Sequence, residues 1–183
     1  MKKRLFCILL ALSLTAALAA CGQKSENPGG QNTGGPEASG QGGAGGQASA
    51  DGYAFVVSKA DNYIVAIDNN MADVLAALGE PLSYFEAASC AFEGLDKTYT
   101  YSGFVITTQP GEGEQDYINS VRLTDDSVVT PEGIYIGCSA DEVTAAYGEG
   151  SRMENVIRYT KGNSAMNFIL EDGKVISIEY LPA

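Results

Sequence analysis

The segment Asp73-Val74-Leu75-Ala76-Ala77-Leu78-Gly79-Glu80 returns further along the chain as Glu142-Val143-Thr144-Ala145-Ala146-Tyr147-Gly148-Glu149. Self-similarity of this kind restricts a chain to folds in which one supersecondary unit is used twice and each copy helps to hide the other's apolar surface. Ile67 and Ile136 precede the two segments at matching positions. Each copy reads as a short helix with its own start and stop. Ser139 with Glu142 makes a capping box, and Asn70 with Asp73 a weaker one. Gly79 and Gly148 end the helices, and Pro81 prevents the first from resuming. Met71, Val74, Leu75 and Leu78 form one apolar stripe; Val143, Ala146 and Tyr147 form the other.

Alternating segments follow each helix. Lys97–Tyr101, Phe104–Thr108 and Tyr117–Leu123 come after the first, and Val156–Thr160, Ala165–Leu170 and Val175–Tyr180 after the second. Gly-containing turns divide them. The closing strands share a phrase, Asn119-Ser120-Val121 against Ile176-Ser177-Ile178. An amino-terminal hairpin, Tyr53–Val57 with Tyr63–Ile67, is expected to join the sheet. The pattern predicts an α+β domain over 51–183. It consists of two tandem helix-plus-three-strand-meander units, about 63–124 and about 133–181, forming a mostly antiparallel sheet with short helices on one face.

Strand alternation then assigns faces. Tyr99, Tyr101, Phe104, Ile106, Val121, Leu123, Ile157, Tyr159, Met166, Phe168, Leu170, Ile176, Ile178 and Tyr180 fall on the side under the helices. Thr98, Thr100, Thr107, Ser120, Arg122, Arg158, Thr160, Asn167, Ser177 and Glu179 fall on the other. An antiparallel sheet covered on one side leaves its second face to water or to a partner.

This unit resembles the tandem repeat of the β-lactamase inhibitory protein and the SmpA/OmlA small lipoproteins of outer-membrane assembly. The phrase from Gly133 through Ile134-Tyr135-Ile136-Gly137-Cys138-Ser139-Ala140-Asp141-Glu142-Val143 to Tyr147-Gly148-Glu149 carries the likeness most closely, and the whole covers roughly 63–180. Two departures stand out. Each unit of the inhibitory protein has its own disulfide, whereas each unit here has one cysteine, and the SmpA/OmlA lipoprotein has a single unit. The resemblance implies a protein partner gripped by the open sheet face. Arg122 and Arg158 are the implied anchors, because arginine is enriched at interface hot spots and both stand out on an acidic chain. Thr98, Thr100, Thr107 and Asn167 surround them.

The first residues, Met1-Lys2-Lys3-Arg4, are basic, and a largely apolar run from Leu5 to Ala20 follows. It has the length and flanks of a signal peptide rather than of a membrane span. It ends in Leu18-Ala19-Ala20-Cys21-Gly22, which resembles the lipobox of bacterial lipoproteins. That resemblance implies cleavage after residue 20, a diacylglycerol on Cys21 and often a third acyl chain on its amine. Two chains anchor stably where one does not, at about 0.8 kcal/mol per buried methylene. From 21 to 50 the chain is rich in Gly, Gln and Ser, with almost nothing to bury, and reads as a disordered tether. Its root-mean-square span is about 30 Å. The expected location is the extracytoplasmic face of the cell membrane, held by lipid.

The chain is formally −12, and removing Lys2, Lys3 and Arg4 with the signal takes this down by three, to −15. Such a domain does not bind nucleic acid non-specifically. The absence of histidine removes Ser–His and Cys–His nucleophile pairs and His-ligated zinc. No enzyme activity, cofactor or metal is expected. Glu112, Glu114 and Asp116, and the pair Asp125-Asp126, do not follow the ligand spacing of an EF-hand and read as solvated turns. Cys7 leaves with the signal, so Cys90 and Cys138 remain. A disulfide between them would contribute about 4 kcal/mol in the chain-entropy model. The setting Ala88-Ser89-Cys90-Ala91-Phe92 equally suits a small buried hydrophobe, and the sequence leaves both open. The functional expectation is a protein-binding module, inhibitor-like or an envelope scaffold, whose partner is an envelope or extracellular protein. The alternative is a solute- or cation-binding lipoprotein.

Overall fold

Two short helices, α1 (Met71–Leu78) and α2 (Ala140–Tyr147), form where the sequence supplies both a side-chain cap and a terminating glycine. These and the elements below belong to a computed structural model that describes residues 52–183. Cys21 and the segments expected to be a signal peptide and a tether lie outside the described residues. Asn70 caps α1 through the Ala72 N–H, 2.9 Å away. Ser139 caps α2 with the full reciprocal box, its hydroxyl accepting from Glu142 N–H while Glu142 Oε2 accepts from Ser139 N–H at 2.7 Å. Gly79 and Gly148 close the helices with φ of 76° and 80° and ψ of −166° and −164°. That region is essentially open to glycine alone.

The strands are β1 (Ala54–Val57), β2 (Tyr63–Ala66), β3 (Ser83–Ala88), β4 (Leu95–Tyr101), β5 (Phe104–Pro110), β6 (Asp116–Leu123), β7 (Ser151–Met153), β8 (Val156–Lys161), β9 (Ser164–Glu171) and β10 (Lys174–Pro182). A single 3-10 turn, Glu112–Glu114, joins β5 to β6. Among the described residues β1 and β2 pair only with each other. The other eight strands make one antiparallel sheet in the order β3-β4-β5-β6-β10-β9-β8-β7.

This corrects the expected α+β fold of two helix-plus-three-strand units. Strands occupy 49% and helix 14% of the described residues, and the architecture is one large eight-stranded sheet with two helices. A fourth strand, β3 or β7, follows each helix before the three that alternation reveals. Both added strands lie at the sheet edges, where nothing forces an apolar–polar alternation. All six residues of β3 are exposed, and β7 is three residues long. The amino-terminal hairpin also differs from expectation. Rather than extending the sheet, it sends Phe55, Val57 and Val65 into the core, where Phe55 meets Phe104 edge-on at 5.0 Å.

Equivalent contacts recur in the two halves. Tyr101 Oη donates to the Gly79 carbonyl at 3.2 Å, and Tyr159 Oη to the Gly148 carbonyl at 2.8 Å. Asn70 bridges to Tyr117 and Ser139 to Lys174, so each helix start is tied to a closing strand. The shared phrase marks a shared irregularity. In β6, Thr107 and Thr108 face Ser120 and Ile118, which leaves Asn119 unpaired. In β10, Ile169 and Leu170 face Ser177 and Val175, which leaves Ile176 unpaired. Each is a bulge, one extra residue that switches the parity of what precedes it. Ile176, expected in the core, is therefore 46% exposed, and Val175 is buried in its place.

Phe168, Ile178, Val121 and Ile106 are fully buried at the middle of the sheet, with Val74 of α1 and Val143 of α2 in the same core. Each such side chain contributes about 1.5–3 kcal/mol by leaving water. Among the described residues no helix is long and apolar enough to cross a membrane.

Candidate partner-binding face

Because every neighbouring pair in the sheet is antiparallel and in fixed register, residues directly opposite one another make a row across it. One such row is Ser83, Thr100, Val105, Arg122, Glu179, Asn167, Arg158 and Ser151, each opposite the next. It crosses all eight strands, about 34 Å at the usual strand spacing. A second row holds Phe85, Thr98, Thr107 and Ser120. Thr100, Arg122, Asn167 and Arg158 thus share one line, and Thr98 and Thr107 lie in the adjoining one. All six residues lie on the face turned away from the buried side chains of β4 to β10.

The two arginines sit three strands apart, about 14 Å. Arg158 is half-buried, and its Nη1 donates to Asn167 Oδ1 at 3.1 Å, so its guanidinium is held in the sheet row. Arg122 is exposed. It stands opposite Glu179, yet among the described residues the ion pair that forms is Lys97–Asp116, at 2.6 Å. Residues 52–183 contain three arginines, Arg122, Arg152 and Arg158, and two of them occupy this row. A guanidinium presents a planar fork of donors that matches carboxylates and paired carbonyl oxygens.

The chain matches no protein-family model, no curated protein and no solved structure.

The second row opens into a shallow groove of about 440 Å³ at one end of the face. The β3–β4 loop contributes Ser89, Ala91 and Phe92; the sheet contributes Asp96, Thr98, Thr107, Gln109 and the bulged Asn119. Thr107 Oγ1 and Ser120 Oγ share a 2.6 Å hydrogen bond across the strands. Lys97 borders the groove, and its hydrogen bond to Asp116 holds the ammonium pKa above its usual value. Sequence reasoning missed Ser83, Phe85 and Ser151 because their strands carry no alternation. It missed the groove because the loop that walls it is placed by tertiary packing.

In the acidic turns, Asp116 pairs with Lys97 and Asp125 is capped by its own turn. Asp125 Oδ1 accepts the Ser127 N–H at 2.8 Å. The Ser127 hydroxyl, followed by that N–H, holds the carboxyl below its ordinary range. Among the described residues no three His, Cys, Asp or Glu side chains converge to hold a metal ion. Cys90 is exposed in the β3–β4 loop and Cys138 is buried before α2, with no disulfide between them. Of the two settings it is therefore Cys138, not Cys90, that is the small buried residue.

Proposed function

We propose that this chain is a lipid-anchored extracytoplasmic lipoprotein whose folded domain is a protein-binding module, an inhibitor or envelope scaffold acting through its open sheet face. The observation that carries the reading is the eight-strand row with Arg122 and Arg158 in it. A continuous, mostly uncharged polar surface on a strongly acidic domain offers a partner broad contact without like-charge repulsion, and two arginines supply anchors. The resemblance to the inhibitory protein, which grips its target with the same kind of face, supports the choice. The lipobox at Cys21 and the tether after it support the location.

The test immobilises Gly42–Ala183 and exposes it to solubilised envelope of the source organism, beside an Arg122→Glu/Arg158→Glu double variant. Hot-spot arginines are worth about 2–4 kcal/mol each, so a captured protein should lose at least about 30-fold in affinity, while the variant keeps its native circular dichroism and loses some stability from the carboxylate set opposite Glu179. Equal capture by the folded double variant refutes the assignment of the face.

A second reading is binding of a small solute or cation, for which the groove beside Asp96, Thr98, Thr107 and Asn119 is the place. A thermal-shift screen tests it, because a ligand specific to the folded state raises the melting temperature. No shift with any metal, peptide or sugar removes this reading.

A further inference from the structure

The two ends of the sheet are guarded very differently. β7 offers only three residues, and the chain turns sharply after it at Glu154, where φ is 51°. β3 offers six, all exposed, with neither proline nor lysine within them. Short length, charged side chains, proline and bulges are the usual protections of a bare edge, and β3 has the single charge of Glu86. Exposed apolar side chains gather there as well. Leu82 is 76% exposed and Phe85 65%, with Tyr84 and Leu95 beside them.

The backbone of β3 fixes how another strand can join it. Ser89 N–H bonds the Gly94 carbonyl beyond the strand end, and Leu82 N–H reaches the Thr100 carbonyl at its start. Antiparallel bonding alternates along the register, so Ser83, Phe85 and Ala87 direct their peptide groups to β4. Tyr84, Glu86 and Ala88 direct theirs outward. A second β3 can meet these outward groups antiparallel only when the two residue numbers opposite each other sum to an even value. Centring on Glu86 would set Glu86 against Glu86, a like-charge pair that costs stability. Centring on Tyr84 would leave Ala87 and Ala88 opposite Pro81 and Glu80, which lie outside the strand. Centring on Phe85 pairs the five residues from Ser83 to Ala87. Tyr84 then exchanges both backbone bonds with Glu86 of the other copy, Ser83 faces Ala87, and Phe85 faces Phe85. This register keeps Glu86 away from its own copy and sets the most exposed aromatic side chain of the strand, Phe85, against itself.

We propose that β3 is a dimerisation edge, pairing antiparallel with β3 of a second copy about a two-fold axis through Phe85. The sheet already contains a join of this kind, because β6 and β10, the closing strands of the two halves, meet antiparallel at its centre. The axis stands perpendicular to the sheet, so the sixteen strands continue as one surface and both open faces point the same way. Both copies are acidic, but repulsion between exposed charges is screened beyond about 8 Å at physiological ionic strength, and no acidic pair faces itself across the join. The pairing does not depend on which partner the open face takes.

Two measurements test it. Gly42–Ala183 should sediment as a dimer, and Glu86→Pro as a monomer with native circular dichroism, since proline there deletes an outward N–H and none of the bonds to β4. In the full chain expressed in a bacterial envelope with Cys90→Ser, Phe85→Cys should give a disulfide-linked dimer on a non-reducing gel. Residues facing across a two-fold in a non-hydrogen-bonded pair lie about 4.5 Å apart at Cα, within disulfide reach. Ser83→Cys should not cross-link, because its own copy is four positions away, about 13 Å. A monomeric wild type, a dimeric Glu86→Pro variant, or equal cross-linking at 83 and 85 each overturns the proposal; the first would leave the edge to an extended segment of another protein.

Discussion

Deleting one hydroxyl at two different tyrosines should change stability in opposite directions. Tyr159 Oη donates to the carbonyl of Gly148, the residue that ends α2, at 2.8 Å. The ring itself packs against Tyr147 and Phe168, with centroids at 5.3 and 5.9 Å, and Tyr159→Phe leaves that packing in place. What disappears is a hydrogen bond worth about 0.5–1.5 kcal/mol, with a further cost for a partly buried carbonyl left without its donor, so the loss should be about 1–2 kcal/mol. For a domain of this size that lowers the melting temperature by roughly 3–8 °C. Tyr180 is also buried, but among the described residues its hydroxyl has no hydrogen-bond partner. Tyr180→Phe removes a desolvated group and should leave the melting temperature unchanged or raise it. Thermal unfolding followed by circular dichroism on the two variants, with urea titration for the free energies, decides the matter. If both variants lose the same amount, the rings and not the hydroxyl partners govern the effect, and the reasoning fails.

Thr108 is buried and among the described residues its Oγ1 likewise has no partner; Thr108→Val should gain about 1 kcal/mol, read from the urea midpoint. Gly148→Ala places a Cβ in open space, but at a φ of 80°, so the expected loss of about 1–3 kcal/mol is purely conformational; an unchanged melting temperature would contradict the geometry. Asp125 titrates below its ordinary value because it accepts the Ser127 hydroxyl and N–H. Its contribution is therefore present above the unfolded-state pKa and fades as pH falls through the folded one. In Ser127→Ala the carboxyl should rise toward its ordinary value in an NMR titration, and a static value would show that the hydroxyl plays no part.

The helices and the inner strands were legible because their signals are local. Ser139 and Glu142 cap within one turn, and Tyr99, Tyr101, Ile157 and Tyr159 alternate with polar neighbours. β3 and β7 were not, since an edge strand with every residue in water carries no period to detect. Their omission turned a sheet-dominated fold into an expected α+β one. The hairpin β1–β2 was legible as a hairpin, but its docking on the core face depends on Phe55 finding Phe104, a contact no short-range pattern encodes. Ile176 shows the limit of parity arguments, because one bulged residue reverses the face of everything before it. The open-face row survived because Arg122, Asn167 and Arg158 lie on the regular side of both bulges.

The central join has a kinetic consequence. Every other pairing in the large sheet links strands that follow one another in the chain, and β6 with β10 is the exception. Sequential pairings close short loops and form early, whereas a distant pairing waits for the intervening chain. As the protein emerges amino terminus first, the strands up to β6 are complete while β10 is still to come. During that interval β6 is an exposed inner edge with buried-type residues such as Ile118 and Val121 on its core side. Two nascent copies that exchange β10 would satisfy the same bonds, so strand swapping at the centre of the sheet is the misassembly this topology invites.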